Sequence, residues 1–342
     1  MKSTQILWLS QSDVCACGVN DIHRNISIVE EALRTHQQGN IAQPLKPYLR
    51  WPDSTGSFPN RIIAMPAYLG GDFQVAGIKW IGSFPSNHQL GLPRASAIIV
   101  LNDVETGFPI AILEGSQISA ARTGAIAGIS AKYLAAPLET YTVALLGAGV
   151  ISRWDARTIA KVVDIEELRI FDLVEERTAE FQNEMSRELE IPIHPKNSAE
   201  SAVRGADIIV PATTAKEPYI PPDWVKPGAL ICNISLQDVL PETILKSKIV
   251  VDDWAQANRE GKVIHQMYQN HLIDESDIYA TLGEIVAGCQ PGRVRNDTDT
   301  IFYVNPMGMA IEDIAIAHRI YEFAVQSGLG KFLSLSGSNG MR

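Results

Sequence analysis

The chain has 342 residues, 46% of them hydrophobic and 20% charged, with a formal net charge of −10. That length allows two domains, and the composition is that of an ordinary globular protein. So acidic a chain argues against non-specific nucleic-acid binding, which needs a basic surface, and no apolar run approaches the ~20 residues of a membrane span.

Ile6 to Leu9 reads as a first strand. The apolar run at the N-terminus is too short for a signal-peptide core, so a cytoplasmic protein is expected. Asn20 to Gln38 carries Ile22, Ile26, Val29 and Leu33 at helical spacing, and Gly39 can end that helix. Extended stretches follow at Leu45 to Arg50, Arg61 to Met65, Val75 to Ile81, Ala97 to Leu101 and Ile110 to Leu113. The last two flank Asn102 to Gly107, a turn-rich connection suited to a hairpin. Residues 1–118 are therefore expected to form an α+β domain, an antiparallel sheet with a helix. Gln117 to Ala136, rich in Ala and Gly, predicts a tightly packed helix bridging the two halves, with Pro137 as its break.

Tyr141 to Ser152 is the stretch around which the chain is organised. Thr142 to Leu146 is a buried-strand pattern, Gly147-Ala148-Gly149 a turn without bulky side chains, and a helical pattern starts at Val150 and Ile151. Strand, glycine turn and helix together are the context of a dinucleotide fingerprint. Gly147 permits the tight turn. Gly149 lets backbone N–H groups approach a pyrophosphate at a helix N-terminus. Ser152 replaces the third glycine. The next strand, Leu168 to Phe171, ends at Asp172. An acid there accepts hydrogen bonds from a ribose 2′-OH and repels a 2′-phosphate, which favours NAD over NADP. The same acid could instead cap the following helix.

Strands and helices then alternate as a doubly wound fold requires. Strands are expected at Asp207 to Val210, Ala229 to Ile231, Lys248 to Val251 and Thr300 to Val304, with a short one near Ile191. Helices are expected at Ile151 to Val163 and Glu175 to Glu188. Ligands bind beyond the carboxyl ends of such strands. Thr213, Asn233, Ser235, Asp238, Asn305, Met307 and Gly308 fall there. A helix from Ala310 to about Gln326 closes the pattern. The fold class is thus α/β, a Rossmann-type parallel sheet over residues 119–319, with a helical C-terminal segment, 320–342, returning to the first domain.

Four cysteines and seven histidines show no metal-ligand spacing, so no metal is expected. Four cations stand out instead. Lys79 lies in an apolar strand, Arg94 follows Gly-Leu-Pro, Arg122 sits on the small-residue helix, and Arg50 ends the stretch that also holds Lys46. A buried cation is costly unless paired. Each could pair with a protein carboxylate or reach solvent along its stem. Several converging would instead hold a small polyanion. Asp238 is the matching acid, either a general base or the N-cap of a helix beginning near Val239.

At these residues the chain resembles the ornithine cyclodeaminase/μ-crystallin family, over nearly its whole length. The resemblance rests on Gly77-Ile78-Lys79-Trp80, Asn102-Asp103 with Thr106-Gly107-Phe108-Pro109, Ser119 to Thr123, Gly147-Ala148-Gly149, Leu282-Gly283-Glu284 and Asn305 to Asp313. It implies an NAD(P)-binding Rossmann domain, a substrate domain that forms a homodimer, and redox chemistry at an amine carbon. It also implies that Lys79 and Arg122 bind the substrate carboxylate and that Asp238 is catalytic. Two departures matter. No acid precedes Met65-Pro66, and Arg94 stands where ornithine-converting members have threonine. Both disfavour a diamine substrate and favour an extra carboxylate.

Gln43 to Arg50, Arg61 to Pro66, Val251 to Trp254 with Asn258-Arg259-Glu260, and Asn305 to Ile314 look like one branch of that family. It is the branch that cleaves N-(2-amino-2-carboxyethyl)-L-glutamate, a tricarboxylate, to L-2,3-diaminopropionate and 2-oxoglutarate. The resemblance implies NAD as cofactor, Lys79 and Asp238 as catalytic residues, and Arg94, Arg122 and Lys79 as carboxylate binders, with Arg50 and Lys46 available for the third carboxylate. It implies an O-phosphoserine-dependent synthase as pathway partner and siderophore or peptide-antibiotic assembly as the destination. Ornithine cyclodeaminase, alanine dehydrogenase, a ketimine reductase, or a non-catalytic NAD(P)H-binding carrier stand as alternatives.

Overall fold

The computed structural model describes residues 5–52, 56–57, 60–305 and 307–335. It divides into two compact units, residues 1–122 with 309–342, and residues 123–308.

The first unit begins with β1 (Gln5–Leu9), α1 (Gln11–Ala16) and α2 (Ile22–Gln37). Ser10 starts α1 through a capping box with Asp13, and Asp21 caps α2 by accepting from the Arg24 N–H. The strands β2 (Ile41–Ala42), β3 (Tyr48–Leu49), β4 (Arg61–Leu69), β5 (Val75–Ser83), β6 (Ala95–Asp103) and β7 (Pro109–Glu114) follow. β4, β5 and β6 pair antiparallel over nine residues each. Of the expected extended stretch Leu45 to Arg50, only Tyr48–Leu49 joins the sheet. The prolines at 44 and 47 leave no N–H to donate in a ladder there.

Helix α3 (Ser116–Leu134) spans the boundary, with Arg122 in the first unit and Thr123 in the second. The second unit then runs β8 (Tyr141–Leu146), α4 (Val150–Ile159), β9 (Ile165–Phe171), α5 (Glu175–Leu189), β10 (Ile193–Pro195), α6 (Ala199–Val203) and β11 (Ile208–Pro211). It continues through β12 (Leu230–Asn233), α7 (Pro241–Leu245), β13 (Ser247–Val251), α8 (Trp254–Ala257), α9 (Val263–Gln269), β14 (Ile278–Thr281), α10 (Leu282–Val286) and β15 (Thr300–Val304). The eight strands form one sheet in the order β10-β9-β8-β11-β12-β15-β13-β14. Every pairing in it is parallel. The order reverses between β8 and β11, so the switch point lies beside the glycine turn. β14 carries only four residues, too short a run to stand out in sequence.

The Ala/Gly composition of α3 has a direct cause within the second unit. A Cβ at Gly124 would lie 2.8 Å from the backbone of Trp154, and one at Gly128 would lie 3.0 Å from Thr158, both on α4. Thr158 Oγ1 donates to the Gly124 carbonyl at 2.6 Å. The two helices are in backbone contact, which only glycine permits.

The chain returns to the first unit as α11 (Ala310–Ser327) and β16 (Lys331–Ser334). Helical structure was expected over 320–342. Instead α11 stops where Gly328 takes φ +67°, and β16 pairs antiparallel with β1. Residues 336–342 lie outside the described residues. The first sheet is also mixed rather than purely antiparallel. Its order is β16-β1-β7-β6-β5-β4-β2, with β3 also on β4, and β1 runs parallel to β7. Strand direction is set by which neighbour a strand finds, a tertiary choice with no local signal. α11 packs against β4, β5 and β6. Gly77 makes that approach possible, since a Cβ there would lie 2.9 Å from Ile314.

Gly124→Ala tests the helix contact. Alanine is the better helix former by about 1 kcal/mol, but overpacking against rigid backbone costs about 1–3 kcal/mol. A lower thermal midpoint by circular dichroism is the expected outcome.

Candidate active site

The glycine turn is built as the sequence pattern requires. Gly147 takes φ +95°, and a Cβ there would lie 2.9 Å from the Ala212 carbonyl oxygen. Its N–H donates to the Phe171 carbonyl at 2.7 Å. Gly149 is the N-cap of α4 and makes no side-chain cap bond. A Cβ at Gly149 would meet nothing within 4 Å, so the space over this helix start is open. The first-turn N–H groups, at Val150 and Ile151 onward, have no intrahelical acceptor and suit an anion. Val150 is 63% exposed at this edge. Ser152 packs inward, with its hydroxyl donating to the Gly147 carbonyl at 2.5 Å.

Asp172 stands at the end of β9. Its Oδ2 accepts from the Ala148 N–H at 2.8 Å and its Oδ1 from the Val174 N–H at 3.0 Å. It is not the helix cap, for that position falls to Val174. The carboxylate is thus fixed to the glycine turn, with lone pairs left for a diol. Glu175 and Glu176 follow in the first turn of α5 and add negative charge. A cradle open at Gly149 and bordered by acids fits a dinucleotide without a 2′-phosphate.

Asp238 lies in the same unit and is fully buried. The capping alternative does not hold. Helix α7 has Leu240 as its N-cap and Pro241 at its first position, with no side-chain cap bond. Instead Thr213 Oγ1 donates to Asp238 Oδ1. The Asp238 carbonyl accepts from the N–H groups of Tyr219 and Ile220. Burial raises the carboxyl's pKa, opposed by Thr213 and by the Tyr219 phenol beside it. Oδ2 is buried and accepts no hydrogen bond among the described residues. A carboxylate with one anchored and one open oxygen is equipped to take a proton.

The other topologically placed residues differ in what they offer. Asn233 and Ser235 satisfy each other, with Asn233 Nδ2 donating to the Ser235 carbonyl at 2.9 Å and Ser235 Oγ donating to Asn233 Oδ1 at 3.2 Å. They form a clip at the end of β12. Asn305 Nδ2 donates to Tyr303 Oη at 3.0 Å, and Tyr303 Oη donates to Asp252 Oδ1. This chain leaves the buried Asn305 Oδ1 without a donor among the described residues. Met307 takes φ +80° and Gly308 φ +59°. A non-glycine residue held in that region costs about 1–3 kcal/mol and persists where its surroundings enforce it.

The cations belong to the first unit. Lys79 on β5 is 1% exposed, and its Nζ donates to Asp313 Oδ2 at 2.7 Å and to Ser119 Oγ at 3.0 Å. Arg122 on α3 donates from Nε to Asp313 Oδ1 at 3.3 Å and from Nη1 to Glu312 Oε2 at 3.0 Å. Both therefore pair with protein carboxylates, the alternative open from sequence. Burial lowers the Lys79 ammonium to about 8, with Arg122 and Lys46 pushing the same way and Asp313 opposing. Lys46 is buried as well. Arg50 is exposed and lies 4.7 Å over the Tyr48 ring. Arg94 is different. It is exposed, its Nη1 donates to Ser83 Oγ at 2.9 Å, and it makes no ion pair among the described residues.

Sequence reasoning missed Glu312, Asp313, Ser119 and Tyr219. A signal for the first two existed. Two adjacent acids open a helix that continues Ile314-Ala315-Ile316-Ala317, and acids in so apolar a stretch need buried cations. Among the described residues there is no cluster able to hold a metal ion.

The family model of the ornithine cyclodeaminase/mu-crystallin family matches residues 9–328. The N-((2S)-2-amino-2-carboxyethyl)-L-glutamate dehydrogenase of Staphylococcus aureus is 39% identical over 335 residues, covering 97% of this chain and 99% of the relative. The structure of Thermococcus litoralis Δ(1)-pyrroline-2-carboxylate reductase in complex with NADH and L-proline aligns with a TM-score of 0.87 at 34% identity, covering 95% of this chain and 99% of that one. An archaeal alanine dehydrogenase dimer with bound NAD aligns with a TM-score of 0.88 at 31% identity, covering 97% and 100%. With its glycine turn, buried cation cluster and Asp238 arranged on this fold, the chain belongs to the ornithine cyclodeaminase/mu-crystallin family.

Proposed function

We propose that this protein is an NAD-dependent dehydrogenase that cleaves N-(2-amino-2-carboxyethyl)-L-glutamate to L-2,3-diaminopropionate and 2-oxoglutarate. The near full-length relation to the staphylococcal dehydrogenase of that substrate supports the reading. The observation that carries it is Arg94, a guanidinium without a carboxylate partner among the described residues. A monocarboxylate amino acid would leave that charge unused. A tricarboxylate would not.

NAD⁺, when bound, supplies the hydride acceptor for the glutamate Cα. The glycine turn at 147–149 would hold the pyrophosphate, and Asp172 the ribose diol. Lys79 and Arg122 would bind one substrate carboxylate and Arg94 another, with Arg50 and Lys46 serving the third. Fixed carboxylates orient the reacting carbon, which is worth several orders of magnitude in rate. Oxidation turns the secondary amine into an imine, water adds, and the carbinolamine C–N bond breaks to release the two products. Asp238 Oδ2 would take the amine proton or activate the water. Because this role needs the carboxylate form, activity should rise with pH through the elevated pKa of Asp238.

The wider reading follows from the same relationships. An O-phosphoserine-dependent synthase would supply the substrate, and diaminopropionate would enter siderophore or peptide-antibiotic assembly in the cytoplasm. The alanine dehydrogenase dimer among the structural relatives supports a homodimer, with the first unit as substrate-binding and dimerisation domain.

The test is NADH formation from NAD⁺ and the synthetic tricarboxylate, with ornithine and alanine in parallel and products identified by mass. Turnover of only the first, giving diaminopropionate and 2-oxoglutarate, is expected. Turnover of ornithine or alanine instead moves the enzyme elsewhere in its family, and NADH binding without any turnover makes it a carrier. Arg94→Ala should raise KM about tenfold or more, the loss of one charge-assisted hydrogen bond. Asp238→Asn should keep NADH binding by fluorescence while kcat falls about 100-fold or more. Asp172→Ala should reduce the NAD over NADP preference about tenfold or more in steady-state assays.

A further inference from the structure

Glu312 and Asp313 are fully buried in the first turn of α11, and the chemistry proposed above assigns them no role. Asp313 spends one oxygen on each cation, Oδ2 on Lys79 and Oδ1 on Arg122. Glu312 takes Arg122 from its other end through Nη1. The guanidinium is therefore held at two points by neighbouring residues of one helix turn. The start of that helix is itself anchored, because the Ile311 N–H donates to Gln43 Oε1 at 3.1 Å.

We propose that Asp313 is a positioning residue for substrate binding: its bridging carboxylate keeps Lys79 charged and locks Lys79 and Arg122 in one arrangement that presents them to a substrate carboxylate. What the two cations bind rests on the function proposed above. The bridge, and its hold on the charge of Lys79, do not.

Three features support the assignment. Asp313 and Ser119 take two of the three Lys79 ammonium donors, and no described residue takes the third. A ligand oxygen can complete that set. Next, the charged groups that act on Lys79 are Asp313 from α11, Arg122 from α3, and Lys46. Burial, Arg122 and Lys46 all favour the neutral amine, and Asp313 is the group that opposes them. Without it, burial, Arg122 and Lys46 are left to favour the neutral amine unopposed. Finally, both Asp313 oxygens are engaged, one by each cation, so neither Lys79 nor Arg122 can turn away without breaking the bridge.

The experiment uses the full chain labelled with ¹³Cε-lysine. The Lys79 signal is identified by its loss in Lys79→Arg and titrated by NMR. The wild-type midpoint should lie near 8, and Asp313→Asn should lower it by about one unit or more, a tenfold loss of proton affinity. An unchanged midpoint overturns the proposal. If Asp313→Asn fails to fold, as judged by thermal melting followed by circular dichroism, adding Lys79→Met should restore folding, because the fault is a buried lysine that has lost its carboxylate partner. No restoration also overturns it. These measurements need no substrate, so they stand apart from the choice of reaction. With substrate, Asp313→Glu should leave the Lys79 midpoint in place and raise KM about fivefold or more through displaced cations, with kcat less affected. An unchanged KM removes the positioning role.

Discussion

Two cations and two carboxylates share a site almost closed to solvent. Lys79, Arg122, Glu312 and Asp313 range from 0% to 5% exposed. The desolvation of buried charges is recovered only when geometry is close and each charge is met. Here a strand, a bridging helix and the C-terminal helix each supply part of the set. None of them can move without exposing a charge to apolar surroundings. The packing of α11 over β4, β5 and β6 is thus as much an electrostatic requirement as a hydrophobic one. Gly77 and Gln43 are concessions to it, one by making room and the other by pinning the helix start.

The two units solve complementary problems of charge. The first gathers positive charge and then neutralises most of it internally, leaving Arg94 outside the pairing. The second places acids beyond its strands, at Asp172 and Asp238, and fixes the first through both oxygens and the second through one. Asp172 is tied to backbone N–H groups, which keeps it available to polar ligands. Asp238 is tied to a threonine hydroxyl and buried, which weakens its hold on negative charge. The same side chain is suited to recognition in one place and to proton transfer in the other. Environment, not residue type, makes that difference.

Much of this was legible in the sequence because it is local. The strand, glycine turn and helix at Thr142 to Ser152 are adjacent in the chain, and the alternation of strands and helices after them has one common solution. The resemblance to a known family added Lys79, Arg122 and Asp238 as a set. What escaped was non-local. Lys79 and Asp313 stand 234 residues apart, so neither flanking sequence reports the other. The parallel pairing of β1 with β7 and the strand at Lys331–Ser334 were missed for the same reason, since a strand's partner is chosen in three dimensions. Asp238 is an intermediate case. Its neighbours allow a helix cap, and only Pro241 at the first position of α7 shows that the cap lies at Leu240.

The first and last described strands lie side by side in one sheet, β16 on β1. This fixes an order of events during synthesis. Residues 123–308 are contiguous and can complete their sheet as soon as they leave the ribosome. The first unit must wait for α11 and β16 to be made. Until α11 arrives, Lys79 and Arg122 lack Asp313 and Glu312, and the sheet lacks the helix that packs on β4, β5 and β6. In the nascent protein the nucleotide fold can thus be finished while the platform remains open, and it is the arrival of α11 that closes the platform.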